Sequence, residues 1–178
     1  MGSISPVLFA NEEFMERVDK RIVKPTIDGL IKDGIDYNGF LFIGLMNVGG
    51  DPFVIEYNVR MGDPETESIM PRIESDFLEL LWKCGGGELE GSDISISDRA
   101  VASLMMVSGG YPESYEKGKE IYGLTAISES LIFHAGTRMV YPNIESSGGR
   151  VLTVTSYGDS ISEALSTSYR EANKISFE

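Results

Sequence analysis

Several common kinds of site are excluded by what the chain has little of. Its one cysteine, Cys84, cannot form an internal disulfide and rules out a zinc centre built on clustered thiolates. Basic residues are scarce: 15 Lys+Arg stand against 28 Asp+Glu, a net charge of −13. That balance argues against nucleic acid as the main partner, because binding to a phosphate backbone is driven by clustered cations. It leaves room for a phosphorylated small molecule, which a local site can hold against the global charge. No apolar run approaches the roughly 20 residues of a membrane span, so no membrane partner is expected. The longest, about Phe40 to Met46, is strand-sized. The N-terminus has neither a basic n-region nor a secretory h-region. With so little cysteine, the cytoplasm is the expected compartment. Internal repeats and low-complexity segments are absent too. What is there is ordinary for a globular protein: 178 residues, 42% hydrophobic and 24% charged. A chain of this length buries roughly two-thirds of its unfolded surface and supports one domain or two small ones.

Residues 12 to 23 place Phe14, Met15, Val18, Ile22 and Val23 at helical spacing, with Asn11 as N-cap. Pro25 breaks that pattern and suits the first turn of a second short helix ending near Gly34. Gly39 to Met46 reads as a buried strand and Phe53 to Arg60 as another, joined as a hairpin through a loop longer than two residues. Ser75 can cap a helix carrying Phe77, Leu78, Leu81 and Trp82, which Gly85-Gly86-Gly87 stops. A boundary is expected near Asp93 to Ser97, where the residues turn polar and small. Beyond it, the stretch around Val101 to Val107, Leu131 to Ala135 and Val151 to Val154 read as strands. The end reads as a helix with a Ser160/Glu163 capping box and an apolar stripe of Ile161, Ala164, Leu165, Ala172 and Ile175. The chain ends at Phe177-Glu178 without a helix-stop signal, which suggests truncation.

The chemistry concentrates in Val54-Ile55-Glu56-Tyr57-Asn58-Val59-Arg60. Side chains alternate across a strand. Phe53, Ile55, Tyr57 and Val59 are therefore expected to face the core, and Glu56, Asn58 and Arg60 to share the opposite face. A carboxylate and an amide oxygen suit Mg²⁺, which takes oxygen ligands and completes its shell with substrate phosphates. Arg60 could neutralise charge on a transferring phosphoryl group. The competing reading is an ordinary solvated strand face. Gly62-Asp63-Pro64-Glu65-Thr66-Glu67 adds three carboxylates next to the row, although acids at a helix start have a dipole explanation as well. Cys84 has no His near it in sequence to activate it as a nucleophile. A lone histidine on a strand, such as His134, is more often structural. Trp82 and the pair Met105-Met106 are most simply core. Ser108-Gly109-Gly110-Tyr111-Pro112 lacks the Gly-Lys-Ser/Thr ending of a P-loop and reads as a turn. Gly148-Gly149-Arg150 could hold an anion, though glycine pairs before a strand usually mark a tight bend.

Glu56-Tyr57-Asn58-Val59-Arg60-Met61-Gly62-Asp63-Pro64-Glu65-Thr66 closely resembles the E-x-N-x-R-x-G-D-P-E-T signature of the phosphoribosylamine–glycine ligase family. Ser5-Pro6, Ile22-Val23-Lys24-Pro25-Thr26, Gly39-Phe40-Leu41-Phe42 and Gly44-Leu45-Met46 are similar to the preceding family segments. So are, downstream, Pro71-Arg72, Ser75-Asp76, Ser108 to Pro112, Tyr115-Glu116-Lys117-Gly118, Phe133 to Thr137 and Gly148 to Leu152. The resemblance covers essentially the whole chain. It implies an α+β chain: the C-terminal part of an ATP-grasp fold, antiparallel sheet with helices, over residues 1–96, then a small β-rich domain over 97–178. It implies a ligase of purine biosynthesis that joins glycine to 5-phosphoribosylamine with ATP and Mg²⁺ or Mn²⁺, through a glycyl phosphate. Carried over residue by residue, Glu56 and Asn58 are the metal ligands, and Arg60 acts in catalysis. Arg60 also lines the substrate region with Gly62, Asp63 and Pro64, while Leu45 or Met46 lies under adenine.

A full family member is more than twice this long, and Met1-Gly2-Ser3-Ile4 falls on a family glycine-rich stretch whose leading glycines are missing here. The chain alone is therefore expected to be inactive. Another ATP-grasp carboxylate–amine ligase, or a non-catalytic module retaining the fold, remain the alternatives.

Overall fold

In the computed structural model, which describes residues 1–177, the chain divides into two units that interleave along the sequence. One holds Pro6–Gly62 and Glu74–Ser95; the other holds Met1–Ser5, Asp63–Ile73 and the chain from Ile96 onward.

The first unit begins with α1 (Glu12–Val18). Asn11 accepts the N–H of Phe14 at 2.9 Å, satisfying one of the helix's orphan donors. Phe14, Val18 and Ile22 recur every four residues and form the buried face of α1 and of the wider π-helical turn Asp19–Val23 that continues it. α2 (Lys24–Lys32) follows with Pro25 in its first turn, where a missing N–H costs nothing. β2 (Phe42–Val48) and β3 (Asp51–Asn58) pair as an antiparallel hairpin. Its connection is shorter than the sequence suggests: the strands run up to Val48 and Asp51, and Gly49-Gly50 turns the chain alone. Both glycines have positive φ (61° and 93°), the requirement of a two-residue turn matched to strand twist.

α4 (Phe77–Gly86) is capped by Asp76 rather than Ser75: the Asp76 carboxylate accepts the N–H of Glu79 at 3.0 Å, while Ser75 Oγ accepts from the N–H of Ser95. It ends at Gly87, which takes the left-handed conformation (φ 71°). The expectation that Trp82 is core is corrected, since it is 82% exposed. Phe77 and Leu81 lie on one strip of the helix and Leu78 and Trp82 on the next. The Phe77 strip faces its own unit, through ring stacking on Phe40 at 6.3 Å.

The second unit is built on a four-stranded antiparallel sheet of β1 (Gly2–Ser5), β4 (Ala100–Val107), β8 (Arg150–Gly158) and β5 (Leu131–His134), in that spatial order. β6 (Thr137–Val140) and β7 (Asn143–Ser146) form a separate hairpin. β1, β6 and β7 escape sequence reading because four residues put two side chains on each face, too few to show a period, and they lack the apolar Leu131-Ile132-Phe133 run that marks the equally short β5. α5 (Ile161–Ala172) packs on β4 and β8, and α3 (Thr66–Ile69) packs on β1, β4 and β8. Covered on both faces, β8 is nearly all buried, Thr153, Thr155 and Ser156 included. Leu152 and Val154, fully buried, join Ile121, Ala172, Ile175 and Phe177 in the core.

Half of the capping box of α5 forms as expected, since Ser160 Oγ accepts the N–H of Glu163, while the Glu163 carboxylate reaches one residue further back and accepts the N–H of Asp159 at 2.8 Å. The buried face of the helix is more polar than the expected stripe, since Ile161 and Leu165 are half-buried while Ser168 and Glu171 are fully covered. Ser168 donates to the Ala102 carbonyl at 2.9 Å. Glu171 accepts from Lys174 Nζ at 2.7 Å and from the N–H of Ser128 at 3.1 Å. The Lys174 bond, chiefly, holds its carboxyl below the usual range against the opposing effect of burial. Leu152→Ala is expected to cost about 2–5 kcal/mol, the transfer term plus the cavity left at the centre of the sheet. Urea unfolding followed by circular dichroism measures it, and a cost below about 1 kcal/mol would show that the site collapses around the smaller side chain.

Candidate active site

β3 carries the first part of the site, and its register differs from simple alternation. Gly44 pairs with Glu56 but Leu45 pairs with Val54, so Ile55 is an extra residue: a β-bulge. Paired residues share a face. Glu56 and Asn58 therefore lie with Phe42, Gly44, Met46 and Phe53, and Tyr57 and Val54 lie on the other face with Ile43 and Leu45. The expectation that Phe53, Ile55, Tyr57 and Val59 form one core-facing row is corrected on two counts. The bulge splits the row, and all four are exposed, Ile55 at 62% and Val59 at 73%. The physical reason is that the hairpin is a two-stranded sheet, and period-2 patterning buries a face only where a second layer covers it.

The two oxygen-bearing side chains do meet. Asn58 Nδ2 donates to Glu56 Oε1 at 2.9 Å. Gly44, opposite, leaves the room: a Cβ there would lie 3.1 Å from Glu56 Cγ. A carboxylate and an amide side chain next to each other on an exposed strand end supply oxygen donors of the kind that a hard cation takes, once the amide turns its oxygen toward the carboxylate, with the other ligands drawn from water or phosphate. They are not an all-protein cage, because among the described residues no three His, Cys, Asp or Glu side chains gather as a metal cluster. Arg60 stands outside this row. β3 ends at Asn58, the chain bends, and Arg60 Nη1 donates to the Met61 carbonyl at 2.9 Å. Of the two residues expected under adenine, Met46 shares the face of Glu56 and is exposed, whereas Leu45 belongs to the opposite face.

Gly62, buried, closes the first unit's stretch; Asp63 opens a stretch of the second. Within the second unit Asp63 is gripped by a residue 87 positions away. Arg150 Nη2 lies 3.0 Å from Asp63 Oδ2 and its Nη1 donates to the Asp63 carbonyl at 3.2 Å. Pro64, buried, has its carbonyl 2.8 Å from Ser3 Oγ on β1. Ser3 also lies 2.9 Å from Ser68 Oγ, a fully covered hydroxyl.

Glu67 completes this group. One of its carboxylate oxygens is buried without a hydrogen-bond partner. Burial pushes the Glu67 carboxyl up, and Asp63 and Glu65 add repulsion, against its own backbone N–H and the Arg150 guanidinium. A carboxyl raised in the folded state favours folding when protonated and works against it once pH rises past the folded value. Glu67→Gln is therefore expected to raise the melting temperature at pH 7 and leave it nearly unchanged at pH 4. Thermal melts at the two pH values measure this, and equal shifts at both would contradict the assignment.

Gly148-Gly149-Arg150 reads in sequence as a possible anion holder and Glu67 as one of three carboxylates, but neither pattern names the partner, which the fold supplies as Asp63. His134 is exposed on β5 with Nδ1 3.0 Å from Thr137 Oγ1, away from these groups in its contacts. Cys84 is half-buried near the end of α4.

The hairpin with its Glu56–Asn58 pair leads into an acidic loop, and similarity to known proteins gives the class. Residues 1–66 match the ATP-grasp (A) domain of phosphoribosylglycinamide synthetase, and residues 101–178 match the C domain of the same protein. The chain belongs to the phosphoribosylglycinamide synthetase family and comprises the C-terminal part of its ATP-grasp fold with the domain that follows. It is 40% identical over 178 residues to the phosphoribosylamine–glycine ligase of Caldanaerobacter subterraneus, covering 100% of this chain and 43% of that protein. It is 41% identical over 180 residues to a bifunctional purine biosynthetic protein of Pichia angusta, covering 99% of this chain and 23% of that one. The crystal structure of phosphoribosylamine–glycine ligase from Thermotoga maritima superposes with a TM-score of 0.87 at 34% identity, over 100% of this chain and 44% of that one. The chain thus spans less than half the length of these relatives. No helix among the described residues is long and apolar enough to cross a membrane.

Proposed function

We propose that this chain supplies the metal-binding wall and the substrate loop of an enzyme that ligates glycine to 5-phosphoribosylamine at the expense of ATP. The observation that carries the reading is the Glu56–Asn58 pair. Its 2.9 Å contact, Asn58 Nδ2 donating to Glu56 Oε1, holds a carboxylate and an amide side chain next to each other within an eleven-residue string that resembles the family signature. Glu56 and Asn58 would hold Mg²⁺ or Mn²⁺, which supplies charge neutralisation on the nucleotide phosphates.

The reaction runs in two steps. The glycine carboxylate attacks the γ-phosphorus of ATP; the bond from that phosphorus to the bridging oxygen breaks, leaving ADP and glycyl phosphate. The amine of phosphoribosylamine then attacks the acyl carbon, the carbon–oxygen bond to phosphate breaks, and the amine gives up a proton. Phosphoryl transfer of this kind depends on positioning and on charge stabilisation. Arg60, exposed just past β3, can turn from the Met61 carbonyl to a phosphoryl oxygen. Gly62, Asp63 and Pro64 orient the acceptor, and Met46 offers an apolar surface to adenine. The reaction's substrates and the single free thiol both suit the cytoplasm.

The test is ADP and phosphate release by the full-length enzyme with ATP, glycine and phosphoribosylamine, run beside alanine and aspartate in place of glycine. Turnover that needs glycine and phosphoribosylamine together supports the reading. Turnover with another carboxylate or amine in their place would reassign the chain to a different carboxylate–amine ligase.

A further inference from the structure

We propose that Arg150 is a positioning residue for the ligase reaction, and that the Ser108–Pro112 and Gly148–Gly149 segments form a backbone lock that aims it at Asp63. The proposal rests on the role given above to the Gly62-Asp63-Pro64 loop. Neither segment has a task in the metal row, and each by itself reads as an ordinary bend.

In the fold they are bonded to one another. The backbone N–H of Ser108 donates to the Gly149 carbonyl at 2.8 Å, and Ser108 Oγ donates to the Gly148 carbonyl at 2.9 Å. Ser108 and Gly149 are both buried. The Tyr111 ring lies directly over Gly149, where any Cβ would run into it. Arg150 comes next and is fixed on both sides of its strand: it pairs with Val107 of β4, and its carbonyl accepts the N–H of Gly136 at 2.8 Å. Its backbone therefore has no freedom, and the guanidinium reaches Asp63 from a rigid base.

The grip itself is specific. A single exposed ion pair contributes little. Here one guanidinium takes both the carboxylate and the main-chain carbonyl of the same residue, which defines an orientation as well as a distance. The neighbouring carbonyl, that of Pro64, is anchored independently by Ser3. Two consecutive residues of the loop are thus held to the second unit's sheet, one by β8 and the other by β1. Catalytic groups held this way lose about 100-fold in rate when displaced by an ångström.

The experiment has two arms. In the first, hydrogen exchange of the amides of Asp63 and residues 65–67 is compared among the unaltered chain, Arg150→Ala, Arg150→Lys and Gly149→Ala. Exchange should accelerate in Arg150→Ala, less in Arg150→Lys, and also in Gly149→Ala, which keeps the arginine but disturbs its base. Unchanged exchange in Arg150→Ala would overturn the proposal. In the second arm, the full-length enzyme is assayed as Arg150→Ala, Asp63→Asn and the double variant. Arg150→Ala should lower kcat/KM for the amine substrate about 100-fold, with the metal–nucleotide Kd unmoved, and the double variant should be no worse than the poorer single one. Losses that multiply would mean that Arg150 binds a ligand directly, and an equal loss in nucleotide Kd would mean a general structural role; both overturn the proposal. If the unaltered enzyme does not ligate glycine, the functional reading fails, while the exchange arm still decides whether Arg150 holds the loop.

Discussion

Glu56→Ala in the full-length enzyme is expected to lower kcat by about 100- to 1,000-fold. A bound divalent ion contributes several kcal/mol of charge stabilisation to phosphoryl transfer, and each 1.36 kcal/mol is about a tenfold change in rate. Removing Glu56 takes away the only charged member of the pair, and leaves Asn58 without the acceptor for its Nδ2. Glu56→Gln retains an oxygen ligand without its charge and should fall between. The loss should be partly recovered by raising the metal concentration, which a purely structural defect would not allow. Folding should survive, because Glu56 is an exposed side chain on a strand whose pairing does not involve its carboxylate, and exposed substitutions of this kind usually stay within about 0.5 kcal/mol. The measurement is ADP release across a titration of Mg²⁺ or Mn²⁺, with a thermal melt as control. Near-normal turnover at ordinary metal concentration would remove Glu56 from the metal site.

The parts of the fold legible in the sequence are those encoded within one turn or one strand. Asn11 is three residues from the N–H that it caps, and Ser160 stands in the same relation to Glu163. Phe14, Val18 and Ile22 announce their own helix face. Glu56 and Asn58 are legible for the same reason: two residues apart on a strand, they share a face without help from the rest of the molecule. What was not legible depends on partners far along the chain. The bulge at Ile55 is set by how β2 pairs, and a single inserted residue transfers Phe53 to the metal face. Trp82 is a residue type common in cores, but its strip of α4 is exposed, Leu78 at 74% and Trp82 at 82%. Arg150 acquires meaning only through Asp63, and Glu67 only through burial beside that pair. Position in the fold, rather than residue type, makes these last two informative.

The 178-residue chain expressed by itself is expected to show no ligase turnover and to bind nucleotide no tighter than about 1 mM, near −4 kcal/mol. The reason lies in the unit that holds Glu56. Its buried apolar side chains are Phe14, Val18 and Ile22, while Ile27, Ile31, Met46, Phe53 and Trp82 are exposed. Glu56 is likewise open to solvent and Asn58 only partly covered. A metal–nucleotide complex held there would keep most of its charge in water, where salt screens interactions beyond roughly 8–10 Å and hydration competes with each contact. Tight nucleotide sites bury most of their ligand in a concave, largely apolar pocket, and this hairpin offers one wall. The relatives, of which the chain spans 43% in the Caldanaerobacter ligase, have additional chain with which to enclose it. The same exposed apolar residues should make the isolated chain self-associate, since apolar surface left in water seeks cover. Calorimetric titration of ATP with Mg²⁺ tests the first expectation and light scattering over a concentration series tests the second. Micromolar binding, or a strictly monomeric species at high concentration, would show that the hairpin and α4 enclose more of the site than their exposure implies.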